Sequence, residues 1–109
     1  MSILSKLLGS ESKLFGKAFL TNKQLILRMD NTSETKSDEL KIEFRKNFII
    51  VKNLKTGIEK QLFWRFISKD DYTETFSDEN YGQWLISNNH ITYTEVKTGI
   101  NTSFYGHMV

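Results

Sequence analysis

The sequence predicts an all-β domain, an antiparallel meander of about eight strands forming a small barrel or sandwich, preceded by a short N-terminal helix. Three observations carry that expectation. Residues 47–58 and 89–100 are two copies of one stretch, Asn-Phe-Ile-Ile-Val-Lys-Asn-Leu-Lys-Thr-Gly-Ile and Asn-His-Ile-Thr-Tyr-Thr-Glu-Val-Lys-Thr-Gly-Ile. Each reads as an extended run, a glycine turn and a second extended run, which is a β-hairpin. Leu40, Ile42 and Phe44 alternate with Lys41, Glu43 and Arg45, the period of a half-buried strand. Turn residues recur at short intervals along the chain and, since proline is absent, they are glycine and asparagine.

Ser2 is placed to cap a helix over residues 2–9 that carries Ile3, Leu4, Leu7 and Leu8 on one face and stops at Gly9. A longer amphipathic helix through Phe19 would read as a membrane-surface element. It would hold Gly9 and Gly16 in its interior, each at a cost of about 1 kcal/mol, so the short helix is preferred, as a plug for one end of the β-structure. Strands are expected at residues 14–20 and 24–30 around a turn at Thr21-Asn22-Lys23. A polar loop follows over residues 30–39, then the strand Leu40 to Phe44, the first repeat hairpin, and strands at 58–67, 72–76 and 84–86. The second repeat hairpin ends the chain. The strands span residues 14–108, and the whole of 1–109 is one domain.

In both hairpins glycine comes third in Lys-Thr-Gly, which suits a three-residue loop with a bulged glycine. That register pairs Leu54 with Ile58 and Val96 with Ile100. It puts Phe48, Ile50, Leu62 and Trp64 on one face, with Ile49, Val51 and Phe63 on the other beside Glu59 and Arg65. Apolar residues on both faces favour closure into a barrel.

The 109 residues carry 15 basic and 13 acidic side chains, a net charge of +2, too small to argue for nucleic acid. The first 55 residues hold eleven Lys or Arg against six acids, and the remainder hold four against seven. Without cysteine, disulfides and thiolate chemistry are excluded. No run reaches membrane-spanning length, and the N-terminus lacks the apolar core and cleavage site of a signal peptide. The expected location is the cytoplasm.

Few patterns point to chemistry. Lys-Thr-Gly and Ser10-Glu-Ser-Lys13 echo fragments of the penicillin-binding signature, but the chain is too short for that fold and both triplets fall where a hairpin needs a turn. His90 and His107 would be cross-strand neighbours with a two-residue turn and lie on opposite faces with the bulged one. Two histidines do not make a zinc site, so no metal and no cofactor are expected. The segment from Asp70 to Glu79 lacks the spacing of a calcium loop. Its acids interleave with aromatics, which suits steering and anchoring of a basic protein partner. The candidate partner-binding residues are Asp70, Asp71, Tyr72, Glu74, Asp78, Glu79 and Tyr81. No catalytic residue is assigned and no nucleic-acid face is expected, since Phe44 and Phe48 are read as core.

In size, in its lack of a catalytic constellation and in its Lys/Asn/Ile/Thr-rich composition, the chain resembles the small immunity proteins of bacterial toxin–immunity pairs, including contact-dependent growth inhibition systems. The resemblance is one of profile. It implies a non-enzymatic protein that binds and blocks a basic, nuclease-type toxin domain, with the acidic segment covering the toxin's active site. The alternative is a lipocalin-like or fatty-acid-binding-like carrier, supported by a helix-then-meander order and by apolar residues on both strand faces. Its Gly16-Lys17-Ala18-Phe19 start departs from the lipocalin Gly-x-Trp. Exposed edge strands leave either a monomer or a homodimer open.

Overall fold

The computed structural model describes residues 12–109, and all of its regular structure is β. The helix expected over residues 2–9 lies outside the described residues. The longer amphipathic helix is overturned from residue 12 onward, because a turn at Phe15-Gly16 leads directly into strand. Nine strands follow: β1 Ala18–Leu27, β2 Ser33–Lys36, β3 Leu40–Phe44, β4 Phe48–Asn53, β5 Glu59–Lys69, β6 Glu74–Asp78, β7 Gln83–Ile86, β8 His90–Thr94 and β9 Asn101–Met108. They form one antiparallel sheet in which β1 also pairs with β9, so β1 and β3 to β9 close an eight-stranded barrel. β2 stands outside the closure, paired to the second half of β1.

Two expected strands are one. The turn read at Thr21-Asn22-Lys23 is a bulge inside β1. The Thr21 hydroxyl donates to the Tyr105 carbonyl (2.6 Å) and accepts the Lys23 N–H (3.3 Å), so the extra residue is absorbed without reversing the chain. β2 arises inside the expected polar loop, where Arg28 and Asn31 turn the chain back; Asn31 adopts φ 68°, which asparagine tolerates.

The turns alternate between the two barrel ends. The near end holds residues 12–17 and the β3–β4, β5–β6 and β7–β8 turns. The far end holds the β4–β5, β6–β7 and β8–β9 turns. Both Lys-Thr-Gly turns are there, and both have four-residue loops, not three. Asn53 N–H bonds Ile58 and Gly57 N–H bonds Asn53, and Glu95, Ile100 and Gly99 repeat the pattern. The Asn53 side chain accepts the N–H groups of Lys55 and Thr56, which holds the wider loop. The register therefore moves by one residue. Phe48 faces Phe63 and Ile49 faces Leu62, so Ile49, Val51, Leu62 and Trp64 point inward while Phe48, Ile50 and Phe63 point outward. A one-residue slip moves every side chain to the other face.

Side chains fill the barrel interior. Phe44, Trp64 and Phe76 stack in sequence, with centroids 5.9 and 3.8 Å apart. Trp84, the cross-strand neighbour of Phe76, stacks with Phe104, and Phe19, Ile42, Ile49 and Ile91 are fully buried.

The duplication extends beyond the hairpins. Glu34-Thr35-Lys36-Ser37-Asp38-Glu39 matches Glu74-Thr75-Phe76-Ser77-Asp78-Glu79 at five of six positions. Asn80 and Tyr81 of the β6–β7 turn have no counterpart in the first copy, so the offset between the copies changes by two residues, which hides the match at a constant offset. Strands β2 to β5 thus correspond to β6 to β9. In the second copy Phe76 stands between Phe66 of β5 and Trp84 of β7. In the first copy the equivalent place, between Met108 of β9 and Ile42 of β3, is filled by Phe19 of β1. The exchange has a chemical reason. The β2 residue matching Phe76 is Lys36, and an ammonium group in that fully buried place would be uncompensated.

Candidate functional site

The acidic segment does not form one face. β6 spans five residues, roughly 13 Å from end to end, and separates the candidates into two groups. Asp70, Asp71, Tyr72 and Glu74 lie at the near end; Asp78, Glu79 and Tyr81 lie at the far end.

At the near end, Asp70 opens the β5–β6 turn. Its Oδ1 accepts the N–H groups of Tyr72 (2.9 Å) and Thr73 (2.8 Å), and these bonds hold its carboxyl below the usual carboxylate range. Tyr72 projects almost fully into solvent, 84% exposed. Glu74 points toward the barrel end, where its Oε2 accepts the Lys13 N–H (3.1 Å) and its Oε1 is buried without a hydrogen-bond partner among the described residues. An open cavity of about 780 Å³ lies between this turn, the β7–β8 turn and residues 13–17. Its lysines (Lys13, Lys17, Lys69) and acids (Asp70, Asp71, Glu74) balance, so it carries no single sign of charge.

Asp78 is not a surface charge. It is 5% exposed and ties the β6–β7 turn into a knot. Its Oδ1 accepts the N–H groups of Asn80 and Gly82, each at 2.9 Å, and its Oδ2 accepts the Trp84 indole N–H at 2.9 Å. The Tyr93 hydroxyl bonds the same carboxylate, and burial, followed by the charges of Asp78 and Glu95, pushes the Tyr93 phenol up to about 12. A buried carboxylate with four donors is satisfied and has no acceptor capacity facing a partner. Asp78 therefore leaves the candidate surface. Its counterpart Asp38 is exposed, because Ile42 and Val51 stand where Trp84 and Tyr93 would donate.

The knot also sets the positions of Glu79 and Tyr81. Tyr81 takes φ 63° and stands 76% exposed. Glu79 locks onto β5: its N–H donates to the Phe63 carbonyl (2.8 Å) and its Oε1 accepts the Phe63 N–H (2.9 Å). Phe63 is 63% exposed. Phe63, Arg65, Ser77, Glu79 and Tyr81 border an outward groove of about 310 Å³. Phe63 and Arg65 belong to this surface and are absent from the sequence-derived candidates. Their signal was the apolar residue on the polar face of β5, which the shifted register assigned to the wrong neighbours.

The remaining motifs resolve into structure. Thr56 and Thr98 each accept an N–H, from Ile58 and Ile100, at 3.2 Å, so the threonine of Lys-Thr-Gly serves its turn. His90 faces Tyr105 across the sheet and stacks on it at 4.9 Å, while His107 faces Leu20. The two histidines thus share the outer face two residues out of register, neither directly opposed nor on opposite faces. Among the described residues no group of three or more His, Asp or Glu side chains could hold a metal ion, and no helix is long and apolar enough to cross a membrane. Phe44 is buried as expected, but Phe48 is half-exposed on the outer face. Comparisons with protein-family profiles, curated proteins and solved structures give no match.

Proposed function

We propose that this chain is a non-enzymatic protein-binding domain that blocks a basic toxin domain, as an immunity protein does. The groove between Phe63 and Tyr81, with Glu79 at its border, is its anchor site. The observation that supports this reading is the pair of aromatic side chains, 63% and 76% exposed, held on rigid backbone by the Glu79–Phe63 bonds and the Asp78 knot. Protruding aromatics on a preorganised surface lose little side-chain entropy on binding and are the residue types that dominate interface energies. Glu79 supplies the local negative charge that meets a cationic partner side chain. Asp70 and Asp71, exposed at the other end of β6, contribute to the field that steers the encounter.

The carrier reading has the closed barrel in its favour. Against it, the stacked Phe44, Trp64 and Phe76 occupy the interior that a ligand would need. A lipid co-purifying in native mass spectrometry would restore that reading.

The test is binding to basic, nuclease-type toxin domains, measured by calorimetry. Phe63→Ala and Tyr81→Ala should each weaken binding about 30-fold, the effect of losing roughly 2 kcal/mol at an anchor, with the unfolding midpoint unchanged. Charge removal at Asp70 and Asp71 should slow association and flatten its salt dependence. Undiminished affinity in the Phe63→Ala/Tyr81→Ala double variant would refute the groove.

A further inference from the structure

We propose that β2 is a self-recognition edge through which two copies of this chain pair, antiparallel and centred on Thr35. Among the described residues β2 is bonded along one edge only, to β1, and all four of its residues are exposed. Arg28 N–H donates to the Thr32 carbonyl at 3.0 Å. Alternation along an antiparallel ladder then makes Ile26/Glu34 and Gln24/Lys36 the hydrogen-bonded pairs. The peptide groups of Ser33 and Thr35 therefore point away from β1, toward open solvent. No proline or bulge blunts this edge.

The side chains select the occupant. With a two-fold axis at Thr35, the two Thr35 residues exchange both backbone bonds, and Ser33 meets Ser37 of the second copy. Glu34 then lies directly opposite Lys36 of the second copy, twice by symmetry, in the non-hydrogen-bonded positions where side chains approach closest. An interface of this kind must be self-complementary, and the Glu-Thr-Lys order satisfies that condition. Glu34 already bonds Arg28 through Oε1 at 2.6 Å, which fixes its carboxylate at the strand and leaves Oε2 for a cation. Lys36 makes no ion pair among the described residues, so its ammonium is available. β6, which carries the matching sequence, is paired on both sides inside the barrel and offers no such edge. An extended peptide from an unrelated protein could also add to this edge, but it would not need the alternating charges.

Sedimentation velocity of the full chain over a concentration series tests this. A monomer–dimer shift that weakens with added salt is expected. Thr35→Pro removes an N–H that β1 does not use, so it should abolish dimerisation while leaving the thermal midpoint in place. Lys36→Glu alone and Glu34→Lys alone each set like charges opposite one another and should weaken pairing roughly tenfold or more. An equimolar mixture of those two variants should recover a dimer, which misfolding could not mimic. The proposal is overturned if the wild type stays monomeric at every concentration, if the Thr35→Pro chain dimerises as well as the wild type, or if the mixture associates no better than either variant alone.

Discussion

The residue whose environment departs furthest from its sequence appearance is Asp78. By charge it belongs with Asp70, Asp71 and Glu79; by position it is buried among four donors. Its carboxylate orders the turn that sets out Glu79 and Tyr81, so a change there acts on the candidate surface without touching it. Asp78→Ala leaves two backbone N–H groups and an indole N–H unpaired in the interior and should cost about 3 kcal/mol, seen as a lower urea midpoint with an unchanged slope. The Tyr93 phenol gives a second readout. The folded chain binds this proton more tightly than the unfolded chain, raising the phenol from 10.0 to about 12. The associated stabilisation is complete below pH 10 and is lost as pH rises toward 12. Ultraviolet titration should find the Tyr93 phenol ionising late, a phase absent in Tyr93→Phe and shifted to lower pH in Asp78→Ala. None of this was legible in the sequence. Two of the donors come from β7 and β8, and nothing in the run from Asp70 to Glu79 says which carboxylate turns inward; only the extension of β6 to Asp78 puts that side chain on the face of Phe76.

The elements were legible where one face is buried and illegible where neither is. Leu40 to Phe44 alternates cleanly and forms β3 as expected. Ser33 to Lys36 has no apolar alternation, so it read as loop. Only its match to the segment around Glu74 and Thr75 marks it as a strand, and that match is offset by the longer second turn. Register was the weaker inference, because Lys-Thr-Gly serves three- and four-residue loops alike; the Asn53 caps decide between them. The glycines sort the same way. Gly57 has φ +77° with open space around its missing Cβ, so Gly57→Ala meets only backbone strain, about 1–2 kcal/mol. Gly106 sits on the seam between β1 and β9, where an added Cβ would lie 1.9 Å from the Leu20 carbonyl oxygen. Backbone must move to admit it, so Gly106→Ala should cost about 3 kcal/mol or more. Chemical denaturation of the two variants in parallel checks the order, and an equal loss would mean that the seam gives way more easily than its geometry implies.

At the scale of the whole molecule, the duplication and the strand that interrupts it make a kinetic prediction. Phe19 and Phe76 hold equivalent places in the two halves of the barrel, and both are fully buried. They differ in how the chain reaches them. Phe76 lies in the β5–β6–β7 meander, joined to its partners Phe66 and Trp84 by short turns. Phe19 meets Met108 across nearly the whole chain, so its place forms only when the barrel closes. Loop-closure entropy favours the local meander forming first and the β1–β9 seam last. Phe19→Leu and Phe76→Leu should therefore destabilise by similar amounts, roughly 1 kcal/mol or more each, yet divide that loss differently between the two rates. Phe76→Leu should slow folding, and Phe19→Leu should mainly speed unfolding. Denaturant-jump chevrons of the two variants separate these outcomes. Because the chain has no proline, no isomerisation phase of tens of seconds should overlap them. Equal slowing of folding by both substitutions would mean that the seam is already formed at the barrier, and that the displaced first repeat takes part in nucleation alongside the second.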